Sequence, residues 1–216
     1  MERPPPLARA AVVSILVVML LAGWGGDSDT KRGGGEPKVS KSEAPWPRPS
    51  RSLERARVAG LEPEREELLD NHVHAHLDLF VDGELQVVPL GIGLDVSQLE
   101  RRTVDGEPIV TPFGRVCDRP CVSPLHTHAE SGIIHTEAAE TEPNTLGQFF
   151  TEWGVRLTKR CVGGYCKPGT RIAVYLNGER VRSDPRDIEL LDQLEIALVV
   201  GEPPETIPST ADFSRV

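Results

Sequence analysis

Between His72 and Val81 the chain alternates strictly: Val73, Ala75, Leu77, Leu79 and Val81 fall on one side, His72, His74, His76, Asp78 and Phe80 on the other. A period of two marks a strand whose apolar face rests on a core. The opposite face therefore carries three imidazoles and a carboxylate side by side. Asp82-Gly83 follows, a pair that tolerates the positive φ of a tight hairpin, and Glu84 to Leu90 supplies a return strand. Any fold open to this chain has to accommodate a hairpin with histidines on its outward face.

All six histidines lie between His72 and His135, and four form the alternating pairs His74-Ala75-His76 and His126-Thr127-His128. Two imidazoles separated by one residue on a strand share a face and can grip one ion. From Leu125 to Glu137 the chain holds His126, His128 and His135 with Glu130 and Glu137, and Gly132 permits a turn that returns His135 beside the pair. His74, His76, His126, His128 and His135 are thus the candidate metal ligands. Neutral imidazoles suit borderline cations, so a divalent transition metal is expected, zinc or copper ahead of iron. The only methionines, Met1 and Met19, lie near the N-terminus, which disfavours a blue-copper or Met-rich cuprous site. A chance surface cluster is the bland alternative.

The rest of the pattern predicts an α+β domain. Pro63 to Leu69 is rich in Glu and Leu and reads as a short helix. A second hairpin, with strand Arg171 to Leu176 and turn Asn177-Gly178, has the form of the first, by duplication or convergence. Between them Thr145-Leu146-Gly147-Gln148 fits a capping box, Leu146, Phe149, Phe150 and Trp153 recur at helical spacing, and Gly154 ends the helix. Short strands are expected near Asp187 to Leu191 and Glu195 to Val200. The sum is a small, mostly antiparallel sheet of β-hairpins covered by one helix, with a β-grasp-like arrangement in the C-terminal part.

Organisation follows from composition. Positive charge at Arg3 to Arg9 precedes an apolar run from Ala10 to Ala22, too short for a comfortable membrane span and of signal-segment length. The run ends like a lipoprotein cleavage site, but Trp24 occupies the place of the lipid-bearing cysteine; cleavage near Gly23 to Gly25 and retention as a membrane anchor both stay open. Residues 1–24 are read as this segment, 25–59 as a flexible Gly/Pro/Ser-rich linker, 60–203 as one domain and 204–216 as a tail. Cys117, Cys121, Cys161 and Cys166 in an exported chain read as two disulfides, with the local pairs Cys117 to Cys121 and Cys161 to Cys166 favoured over a four-thiolate zinc site. Leu61 to Val216 carries fourteen basic and twenty-seven acidic residues. That excess argues against a nucleic-acid partner and is compatible with a metal ion.

The run Leu125-His126-Thr127-His128, then Ser131-Gly132-Ile133-Ile134-His135, then Thr145 to Phe150 and Trp153-Gly154, resembles a group of uncharacterised exported bacterial proteins with a His-rich strand ahead of a hairpin. The resemblance covers His72 to Gly201 and implies an extracytoplasmic domain but no reaction. Those proteins often carry Asp where this chain has Ala129. Three functions remain: a metal buffer or delivery module, a metalloenzyme with Glu130, Glu137 or Asp78 as base, and a metal-free adhesion or assembly domain. No GxSxG elbow, phosphate-binding loop or GxGxxG fingerprint is present.

Overall fold

The computed structural model describes Met1, residues 37–139 and residues 143–214. Chain contacts separate Met1–Gly33 from Gly34–Val216, and the description below concerns the second unit. Beyond Met1, the expected signal segment lies outside the described residues, as does the first part of the expected linker.

The elements in order are α1 (Ser52–Val58), β1 (Asn71–Val81), β2 (Glu84–Gln86), β3 (Glu100–Val104), β4 (Glu107–Thr111), β5 (Leu125–His126), β6 (Ile133–Ala138), α2 (Leu146–Trp153), β7 (Cys161–Val162), β8 (Tyr165–Cys166), β9 (Ile172–Leu176), β10 (Glu179–Val181) and β11 (Leu194–Val200). The main sheet runs β10-β9-β11-β1-β6-β5. β1 lies parallel to β11 on one edge, while β6 and β2 share its other edge, both antiparallel. The protein is therefore α+β and mostly antiparallel, with one parallel pairing at the centre.

Alternation along β1 places Ala75, Leu77 and Leu79 in the core, where they meet Ile134, Ile196, Leu198 and the aromatic face of α2. That helix begins as its sequence demands: Thr145 accepts from the Gln148 backbone and the Gln148 side chain accepts from the Thr145 N–H. Gly154, with φ 75°, closes it in the left-handed conformation. Leu146, Phe149, Phe150 and Trp153 are all buried. Burial of side chains this size stabilises by about 1.5–3 kcal/mol each. Asp82-Gly83 and Asn177-Gly178 both have positive φ at both positions, as two-residue hairpin turns require.

Four expectations are corrected. Residues 63–69 form no helix; Glu64 bridges to Val122, and this extended path carries Glu67 toward the histidines. Residues 187–191 are not a strand but leave a 3₁₀ turn at Pro185–Asp187, with one bridge from Glu189 to Thr145. The later part of the supposed linker is packed. Trp46 is buried edge-on against Trp153 and Tyr165, and Ala56 of α1 lies in the core. Periodicity missed this because a lone Trp and a seven-residue helix leave too short a pattern. Past residue 203 the chain also packs, with Ile207 against Phe80, Ala197 and Val199.

Disulfides join Cys117 to Cys121 and Cys161 to Cys166. No described helix is long and apolar enough to cross a membrane. The β3–β4 ribbon stands apart from the main sheet, tied to it where Val110 and His128 exchange hydrogen bonds.

Candidate metal centre

Cross-strand register assembles the histidines. His126 of β5 is opposite His135 of β6, and His135 is opposite His74 of β1, so three imidazoles form a row across three strands. One step along the same face, His72 is opposite Glu137. Side chains directly opposite have Cβ atoms about 5 Å apart, near enough for ring atoms to converge. The His126 and His135 rings stack at 8° with centroids 5.5 Å apart. Gly132 makes the turn into β6 with φ 81°, and a Cβ there would sit 2.8 Å from both His76 Nε2 and the Leu77 carbonyl.

Hydrogen bonds select the tautomers at the centre of this cluster. His126, 0% exposed, donates from Nδ1 to the Ser123 carbonyl at 2.8 Å, and His128 donates from Nδ1 to the Val110 carbonyl at 2.7 Å. A carbonyl can only accept, so in each neutral ring Nδ1 bears the proton and Nε2 a lone pair. Those two Nε2 atoms face each other at 3.1 Å. Bonds of about 2.0–2.1 Å to a tetrahedral metal place neighbouring donors about 3.3 Å apart. Glu137 Oε2 lies 3.8 Å from His126 Nε2, and Glu137 Oε1 lies 3.4 Å from His135 Nδ1. The donor atoms of His126, His128, His135 and Glu137 are all within 4.8 Å of one another.

Burial leaves this group electrostatically incomplete. His135 Nδ1 and Glu137 Oε2 are buried without a hydrogen-bond partner, as is His74 Nε2 nearby. Burial pushes the pKa of His126 well below the ordinary histidine value, and the neighbouring His128 adds to the shift. Burial does the same to His135, with the imidazoles of His128, His74 and His72 reinforcing it. His74 shifts down too, through burial and then His72. Rings held neutral in this way are in the form that coordinates.

The residues behind this cluster are held by hydrogen bonds of their own. Thr127, between the paired histidines, points to the other side, where its hydroxyl donates to the Pro89 carbonyl and accepts from the Ile92 N–H. Ser123, whose carbonyl orients His126, donates its hydroxyl to Glu152, a fully buried residue of α2. Burial raises the Glu152 pKa well above the usual carboxylate range, against the opposing effect of the Ser123 bond. Helix α2 and His126 are thereby linked through one serine.

His76 lies outside this group. Its Nδ1 is 2.7 Å from Glu195 and its Nε2 is 2.9 Å from the Ser131 carbonyl, so both nitrogens have acceptors. Burial by itself would lower its pKa, but the bond and charge of Glu195, with Asp78, outweigh it and raise the value. His74 sits beside His135 and His72, forming a second compact set. Of the five expected ligands, three converge with Glu137, one flanks them and one is engaged elsewhere. Glu130 is exposed, and Asp78 belongs with His76 and Glu195.

Glu67 was not anticipated. Its Oε1 is 3.6 Å from His128 Nε2 and accepts from the Thr111 hydroxyl at 2.9 Å. Burial raises its pKa, and the Glu137 charge adds to this. Nothing local in the sequence signals this contact, because the residue arrives on an irregular segment and its partner His128 is distant in the chain. A cleft of about 530 Å³ opens beside His128 and His135, walled by Val104 and Ile109 of the ribbon and by Ile133.

No protein-family model, curated protein or solved structure matches this chain.

Proposed function

We propose that the protein is an extracytoplasmic transition-metal-binding protein, a buffer or delivery module, that holds a divalent ion on His126, His128, His135 and Glu137. The observation that carries this reading is the 3.1 Å approach of two Nε2 atoms whose rings both donate from Nδ1 to backbone carbonyls. Two lone pairs pointed at each other repel, and a cation between them turns the repulsion into two bonds. The buried Glu137 carboxylate would supply the charge that a divalent ion needs. Histidine nitrogens with one carboxylate favour zinc or cupric ion over softer or harder metals. All four cysteines are in disulfides and so contribute no thiolate, and the same disulfides favour an oxidising compartment. The acidic surface fits a metal ion better than nucleic acid as partner, and an uncleaved N-terminal segment would hold the domain at the outer face of a membrane. A β-grasp-like fold is consistent with the first and last main strands lying parallel at the sheet's centre, with hairpins outside them.

One feature favours a metal-dependent enzyme as the second reading. The cleft opens beside His128 and His135, and Glu67, whose Oε1 lies 3.6 Å from His128 Nε2, would be the base for water activated by an ion held there. Elemental analysis of the chain purified without an affinity His-tag, before and after His126→Ala/His128→Ala, tests the principal reading. Metal in the parent and none in the variant is the expected result; equal metal in both removes the site.

A further inference from the structure

The first ion does not use all that this face offers. Glu137 is 5% exposed, and its ion-pair partners among the described residues are the imidazoles of His72, His126 and His135. Its two oxygens serve different neighbours. Oε2 faces His126, whereas Oε1 lies 3.2 Å from His72 Nε2. On that second side His72 and His74 stand with ring centroids 4.5 Å apart, and His74 Nε2 is buried with nothing bonded to it. The donor atoms of His72, His74 and His135 lie within 4.8 Å of one another, a set as compact as the first and sharing only His135 with it.

We propose that the centre is dinuclear: a second divalent transition-metal ion is held at the His72–His74–His135 set, with the Glu137 carboxylate, whose Oε1 approaches His72, linking it to the ion on His126 and His128. The proposal rests on the mononuclear reading above and extends it. A carboxylate whose two oxygens approach different imidazoles, Oε2 beside His126 and Oε1 beside His72 and His135, can bridge ions about 3.5–4 Å apart. His135, midway in the row of three, can serve either ion. The two positions differ in access, because His126 is fully buried whereas the His72 side chain is 37% exposed. The outer ion accordingly has fewer protein ligands and positions open to water or to an acceptor's ligand. It is the exchangeable ion of the pair, and the inner one is the resident.

The test uses the full untagged chain, stripped of metal, loaded with zinc and dialysed, with metal counted per chain. The parent is expected to hold two equivalents and His72→Ala/His74→Ala one. Loading with cupric ion supplies an independent readout: two bridged ions should give less than two spins by paramagnetic resonance, and the double variant one full spin. His72→Gln alone, at a partly exposed position, covers the case in which the double variant fails to fold. It should weaken only the second equivalent. One equivalent in the parent, unchanged by these substitutions, overturns the dinuclear centre and leaves the first site standing. A folded His72→Ala/His74→Ala chain that binds no metal, or still binds two equivalents, also overturns it. No metal in the parent defeats both readings.

Discussion

Two histidine–carboxylate clusters share one face of the sheet, and they are opposites in polarity. In the first, the Nε2 atoms of His126 and His128 face each other at 3.1 Å while His135 Nδ1 and Glu137 Oε2 are buried without a hydrogen-bond partner. In the second, His76 has an acceptor at each nitrogen, Glu195 on one side and Ser131 on the other. A proton completes the second cluster, whereas buried nitrogen and oxygen atoms of the first have no hydrogen-bond partner. An HxH pair therefore does not by itself define a metal site. What defines it is whether the atoms around each imidazole accept or donate.

The largest expected effect breaks the comparison at its stronger side. His126→Ala/His128→Ala should abolish zinc or cupric binding and with it the stabilisation a bound ion confers, about 2.7 kcal/mol at a free metal concentration one hundred times Kd. Calorimetric titration and thermal melts with and without metal would measure both. A variant that keeps parental affinity shows that the facing lone pairs are not the site.

The reciprocal substitution sharpens the contrast. His76→Gln should leave metal affinity within about threefold of the parent but destabilise the metal-free protein by about 3 kcal/mol, since the nearly fully buried Glu195 loses its charged partner. Chemical denaturation of the stripped protein would show the loss. An affinity drop comparable to that of His126→Ala/His128→Ala would mean His76 is a ligand after all.

Acid separates the clusters by sign. The His126 and His135 pKa values are depressed, so as pH falls below about 6.5 the unfolded chain takes up protons that the folded one resists, and stability declines. The His76 pKa is raised, so its contribution is full below about 6.5 and disappears as pH rises through its folded value. The metal-free parent should thus lose stability on acidification less steeply than His76→Gln, while metal binding weakens only once the pH is low enough to protonate the depressed His126 and His135 rings, because protonated imidazoles cannot coordinate. Each proton of difference changes the slope by about 1.4 kcal/mol per pH unit. Identical slopes in the two proteins between pH 5 and 7 would refute the assignment of His76.

Much of this was legible in local pattern, and the division between the clusters was not. Period two along β1 identifies the face bearing His72, His74 and His76, and the capping box and Gly154 delimit α2, because both signals are confined to neighbouring residues. The two disulfides were similarly readable as short loops. Which strand lies beside which residue depends on long-range pairing. His74 is opposite His135 on β6, whereas His76, two positions on, is opposite Glu195 on β11. That one difference in register separates a flanking imidazole from a salt-bridged one. Glu67 was hidden for a related reason: its segment has helix-forming composition but is held extended by the Glu64–Val122 bridge. Tertiary pairing overrides a weak propensity of this kind.

The smallest expected effect guards the whole comparison against a trivial explanation. If metal affinity simply followed global stability, any destabilised variant would bind poorly, and the contrast between the clusters would carry no information about ligands. Thr145→Ala removes one half of the α2 capping box, where the Thr145 hydroxyl bonds to Gln148 and to no histidine. Loss of such a cap costs about 1 kcal/mol. The expected outcome is a lowered denaturation midpoint, unchanged zinc affinity and an unchanged acid slope. A fall in affinity comparable to that of His126→Ala/His128→Ala would show that binding reports stability and would remove the lone-pair argument's support. An unchanged affinity leaves the His126–His128 pair as the determinant, because stability has then been varied without disturbing the ligands.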